Sequence, residues 1–135
     1  MNELIVAADI AQLERVLDFV NEQLDENECP QKIQYIIDVA VEEIFVNIAS
    51  YAYSPDEGEA IIRCTAENAP RAIAIQFIDS GKEYNPLARK DPDISLSAEE
   101  RQIGGLGVYM VKKSMDSVSY EYLNGRNIFT IKKKF

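Results

Sequence analysis

The sequence predicts an α+β two-layer sandwich, with helices on one face of a mixed, mainly antiparallel sheet. Three observations carry this reading. Apolar residues recur at helical spacing through residues 10–53, they alternate at strand spacing through 71–79 and again near the C-terminal end, and a glycine-rich helix start lies between those strands. The resulting order is β-α-α-β-β-loop-α-β-β, which leaves the second sheet face partly exposed or covered by a partner.

Glu3 to Ala7 reads as a short first strand, and Asp9 as the N-cap of a helix from about Ile10 to Glu26. Leu13, Val16, Leu17, Val20 and Leu24 share one face of it. Pro30 opens a second helix whose apolar stripe is Ile33, Ile36, Ile37, Ala40, Val41, Ile44 and Ile48. It ends near Tyr53, before the turn residues Ser54, Pro55 and Gly58. Strands over Glu59 to Ala66 and Arg71 to Asp79 follow, joined by a turn around Asn68 and Pro70. The second alternates so that Ile73, Ile75, Phe77 and Asp79 share a face. Ser80 to Ile103 is polar, interrupted by Pro86 and Pro92, and predicts a long functional loop with a helical turn near Ser97 to Arg101. Gly104 to Gly107 open a third helix through about Met115. Ser117 to Leu123 and Asn127 to Lys133 close the chain as a hairpin on the Asn124-Gly125 turn.

At 135 residues the chain supports one core, and a single domain over 1–135 is expected. No apolar run approaches the roughly 20 residues of a membrane span, and the N-terminal residues lack a basic, apolar leader, so the cytoplasm is the expected location. Cys29 and Cys64 have no metal-like spacing and read as free thiols. A formal charge of −9 argues against a surface for nucleic acid. It leaves nucleotide binding open, because backbone N–H groups, a helix N-terminus and a metal ion can hold phosphates. With no histidine, imidazole triads and histidine-ligated zinc are excluded, and a general base must be a carboxylate.

Three short motifs in fixed order carry the chemistry: E-x-x-x-N at Glu43 to Asn47, D-x-G at Asp79 to Gly81, and G-G-x-G at Gly104 to Gly107. Glu43 and Asn47, one helical turn apart, share one edge of a cleft. The amide oxygen is a hard magnesium ligand, and the carboxylate can orient or deprotonate a hydroxyl. The same pair also suits a solvated helix flank. Asp79 ends a buried strand face, where a carboxylate needs a partner; an adenine amine would supply one, and Gly81 would let a base approach the backbone. A simple turn cap is the competing reading. Gly104, Gly105 and Gly107 ahead of Val108 create a helix start whose N–H groups can face anionic oxygens, or else a close packing contact.

EEIFVNIASYAY, DSGKEYNP and GGLGVYMVKKSMD together resemble the N, G1 and G2 boxes of the GHKL (Bergerat-fold) ATPases. The short chain is most similar to bacterial anti-sigma factor serine kinases, and the resemblance extends to NGRNIFTIKK at the end. It implies ATP and Mg2+ in a cleft under a lid over Leu87 to Ile103. It also implies phosphorylation of a serine on an anti-sigma factor antagonist and sequestration of a sigma factor. Dimers are common among such relatives, which admits a homodimer. By position, Asn47 matches the magnesium ligand, Glu43 the general base and Asp79 the adenine-binding aspartate, with Gly81 beside it. Asn85 matches the post-G1 position, Gly105 and Gly107 the phosphate-side glycines with Gly104, Leu106 and Val108 around them, and Thr130 a residue near the adenine. Tyr51 stands where a histidine is frequent, and Lys82-Glu83 replace smaller residues. Two other readings compete with the kinase: a nucleotide-binding module that only sequesters its partner, and a nucleotide-free acidic adaptor.

Overall fold

The computed structural model describes residues 1–88 and 105–135. Strand β1 (Asn2–Ala7) leads through a 3-10 turn (Ile10–Gln12) into helix α1 (Leu13–Glu26). Asp9 caps that turn, its Oδ1 accepting from the Ala11 N–H at 2.9 Å. The helix expected from Ile10 therefore begins with one tighter turn. Helix α2 (Gln31–Asn47) follows Pro30 and runs on as a π-helical turn (Ile48–Ala52), so the helical segment does reach the vicinity of Tyr53. Its last turn, however, widens to the i→i+5 pattern.

Strands β2 (Glu59–Asn68) and β3 (Arg71–Asp79) form a hairpin, and helix α3 (Gly105–Ser114) precedes the hairpin of β4 (Ser117–Leu123) and β5 (Arg126–Lys134). The turn of that last hairpin has φ 53° at Asn124 and 77° at Gly125. Both lie in the left-handed region that Asn-Gly tolerates best. The sheet order is β1-β2-β3-β5-β4, and every pairing is antiparallel, so no parallel pair accompanies it among the described residues. β5, last in sequence, is inserted between β3 and β4. β3 and β4 consequently run the same way, with α3 between them in the chain.

The core forms where the helices cover one sheet face. Val16, Val20 and Leu24 from α1, Ile37, Val41 and Phe45 from α2, and Ile62, Ile75, Phe77 and Ile131 from the sheet are all buried. Full burial of each such side chain contributes about 1.5–3 kcal/mol. Alternation in β3 behaves as the pattern predicts: Ile73, Ile75, Phe77 and Asp79 face the helices, with Asp79 opposite Ala60 on β2 and Asn127 on β5. Both cysteines are free and buried, and burial pushes the Cys64 thiol up to about 12. Among the described residues no helix is long and apolar enough to cross a membrane.

Candidate functional site

The floor of the site is the end of the central strand. Asp79 is only 6% exposed. Its Oδ1 accepts from the Gly81 N–H at 2.9 Å and from Asn127 Nδ2 at 2.9 Å. Among the described residues nothing donates to Oδ2, so one carboxylate oxygen keeps its acceptor capacity beside the cavity that Asp79 lines.

Asn127, also 6% exposed, organises this end of the sheet. Its Nδ2 donates to Asp79 and, at 2.8 Å, to the Lys82 carbonyl. Its Oδ1 accepts from the Tyr84 N–H at 3.1 Å and from the Tyr120 hydroxyl at 2.5 Å. One amide with two donor hydrogens and two lone pairs is thereby saturated. Burial pushes the Tyr120 phenol up, with the nearby Glu83 and Asp79 charges adding to it, so Tyr120 remains the donor. The motif reading missed Asn127. The signal was there in strand parity: with Phe129 and Ile131 pointing inward, Asn127 must point inward too.

One wall comes from α2 and its π turn. Asn47 Nδ2 donates to Glu43 Oε1 at 3.2 Å, which turns Asn47 Oδ1 away as an acceptor that no described residue occupies. The π turn presents the Ala52 carbonyl to the D-x-G loop, where the Lys82 N–H donates to it at 2.9 Å. Gly81 is required there: a Cβ would lie 2.2 Å from the Ala52 oxygen and 2.6 Å from its carbonyl carbon. The close approach expected from a base at Gly81 is made by this peptide group instead. Tyr53 braces the same corner, donating to the Glu59 carbonyl at 2.6 Å and accepting from the Ser80 N–H at 2.7 Å.

The opposite wall is the start of α3. A Cβ on Gly107 would fall 1.9 Å from Glu43 Oε1, so the first turn of that helix abuts the Glu43 carboxylate. Gly105 opens the helix, Leu106 lies in its first turn, and Val108 lines the cavity. Gly104 and the expected lid beyond Ala88 fall outside the described residues, as does the helical turn expected near Ser97 to Arg101.

These walls enclose a cavity of about 750 Å³. Glu43, Asn47, Asp79 and Val108 line it together, with Phe77 and Phe129 as an apolar floor. Four described residues expected in the site, Gly81, Asn85, Gly107 and Thr130, are not among those lining the cavity, Gly81 and Gly107 instead making the close contacts given above. Asn85 caps a 3-10 turn (Pro86–Ala88), its Oδ1 accepting from the Leu87 N–H at 2.9 Å, and it is absent from the lining. Thr130 sits opposite Gln76 and Ser119 on the sheet face away from the helices, because it is one residue out of phase with Phe129. Among the described residues no three acidic or thiol side chains gather to hold a metal. A metal here would draw its remaining ligands from the bound molecule and water, the usual arrangement for magnesium.

An apolar floor, a buried acceptor and a helix start gather around one cavity, an arrangement suited to a small molecule that combines a hydrogen-bonding ring with negative charge. The chain belongs to the histidine kinase-like ATPase domain family, which it matches over residues 6–133. It is 26% identical over 100 residues to the serine/threonine-protein kinase BtrW of Bordetella bronchiseptica, covering 74% of this chain and 70% of that one. A solved SiaB–SiaC complex from Pseudomonas aeruginosa contains a chain similar to 98% of this one and 89% covered by it. The TM-score is 0.48 and the identity 11%.

Proposed function

We propose that this chain binds Mg-ATP in the cavity under α2 and α3 and acts as a protein-serine kinase of the anti-sigma type in the cytoplasm. It would phosphorylate an anti-sigma factor antagonist and sequester a sigma factor. The observation that carries the reading is Asp79: a buried carboxylate fixed on one oxygen by Asn127 and Gly81, with the other oxygen left to accept from an adenine amine. Family membership and the similarity to a serine/threonine-protein kinase support the same direction.

Each residue then has a task. The apolar floor of Phe77 and Phe129 takes the base. Asn47 Oδ1 would hold magnesium, which when bound neutralises phosphate charge and orients the γ-phosphoryl group. The first turn of α3 directs its N–H groups at the phosphate oxygens. Glu43 accepts the serine proton as that hydroxyl oxygen bonds to the γ-phosphorus. The bond to the β-γ bridging oxygen breaks, and ADP leaves with its electron pair.

The deciding experiment titrates the protein with ATP and magnesium by calorimetry, then follows γ-phosphate transfer from labelled ATP to a candidate antagonist. Binding together with serine-linked label supports the kinase. Binding without transfer to any cognate partner favours the sequestering module, and no binding at all favours the nucleotide-free adaptor.

A further inference from the structure

The charged side chains lining the cavity are Glu43, Asp79 and Glu83 against Lys82. Three carboxylates would repel a polyphosphate at contact distances, where each opposed pair of charges matters most. Lys82 is the one cation among the described lining residues, and no described carboxylate lies within ion-pair distance of it. Its backbone is held from both sides: the N–H donates to Ala52 at 2.9 Å and the carbonyl accepts from Asn127 Nδ2 at 2.8 Å. The backbone of this exposed residue is therefore anchored, while no described carboxylate pairs with its ammonium.

From this we infer that Lys82 is a phosphate-recognition residue, distinguishing a nucleotide from its nucleoside in this cavity. The inference rests on the nucleotide reading above and deepens it. Both backbone bonds survive any side-chain replacement, so Lys82→Met removes the ammonium and leaves the loop anchored. Lys82→Arg keeps the charge with a different head group.

The test measures ATP binding by calorimetry and adenosine binding by displacement, with magnesium present, for the wild type and both variants. Lys82→Met should weaken ATP about ten-fold and leave adenosine within about two-fold, while Lys82→Arg retains most of the ATP affinity. A wild type that binds ATP alongside an unaffected Lys82→Met overturns this inference alone. So does an equal loss of adenosine and ATP, which would make Lys82 a support for the loop. A wild type that binds neither ligand overturns the nucleotide reading and this inference with it.

Discussion

Asn127 Nδ2 stands 2.9 Å from Asp79 Oδ1, across 48 residues of sequence, and the same amide holds the loop from Lys82 to Tyr84 through two further hydrogen bonds and the Tyr120 hydroxyl of β4 through a third. The candidate adenine acceptor and the loop beside it are thus one buried polar unit. A saturated network of this kind is rigid, and removing its centre leaves several buried groups unpaired at once.

Asn127→Ala should accordingly destabilise the protein by about 1–3 kcal/mol, read from the urea midpoint, and weaken ATP binding as well. Asn127→Asp is the sharper variant. It sets a second carboxylate against Asp79, so ATP affinity should acquire a pH dependence absent from the wild type. A pH-independent Asn127→Asp would dissociate this residue from the acceptor.

Asp79→Asn keeps the shape of the side chain and an oxygen for Gly81 and Asn127, so the fold should survive. Replacing the free Oδ2 with an amine puts a donor where an adenine amine needs an acceptor. ATP binding should weaken by about 1.5–3 kcal/mol, roughly ten-fold to a hundred-fold by calorimetry. Unchanged affinity would remove Asp79 from the base site.

Glu43 and Asn47 share a hydrogen bond yet should respond differently. Asn47→Ala loses a hard oxygen and should cripple magnesium-dependent ATP binding. Glu43→Gln should bind ATP nearly as the wild type does and lose about 10²–10⁴-fold in phosphate transfer. Transfer at the wild-type rate by Glu43→Gln would reduce Glu43 to a packing contact for Gly107.

Gly81→Ala drives a Cβ into the Ala52 peptide group, where backbone must move. A loss of about 1–3 kcal/mol of stability is expected, together with weaker ATP binding, because the π turn and the D-x-G loop can no longer touch. Gly107→Ala meets only the end of the Glu43 side chain and should cost less. Equal stabilities for the two variants would contradict the packing difference.

Asp38 lies on α2 with Oδ1 buried and without a hydrogen-bond partner among the described residues. Burial pushes its carboxyl up, partly offset by a hydrogen bond from Asn21 and reinforced by the charge of Asp25. The folded state thus holds the proton to higher pH than the unfolded state. Stability from this group is greatest below the unfolded value and falls as pH rises through the folded one. Asp38→Asn should therefore stabilise the protein at pH 7 and flatten its stability profile on the acid side, measured by thermal melts across pH.

Much of this arrangement is legible in the sequence because it depends on local periodicity. The order of elements, the inward face of β3 and the Asn124-Gly125 hairpin all follow from spacing within a few residues. Thr130 and Asn85 are expected from position in a motif; strand parity turns Thr130 to the far sheet face, while Asn85 caps a 3-10 turn between the cavity-lining Tyr84 and Pro86. Strand parity turns Asn127 inward, but its partner Asp79 is set by a long-range event, the insertion of β5 beside β3, which no local pattern encodes. The π turn escaped for another reason: Ile48 to Ala52 has ordinary helical composition, and its wider register shows only in how Ala52 meets Gly81.

The insertion of β5 beside β3 also sets a clock. A growing chain that has just displayed Asp79 must still add 48 residues before Asn127 exists. At about 5–20 residues per second, that is a wait of about 2–10 s. During it the Asp79 carboxylate has the Gly81 N–H but not the Asn127 amide, and the hydrophobic edge of β3 is uncovered. The proposed nucleotide site would therefore form only once Asn127 has been added. Nascent chains arrested before Asn127 should display α1, α2 and the β2-β3 hairpin with no formed base pocket.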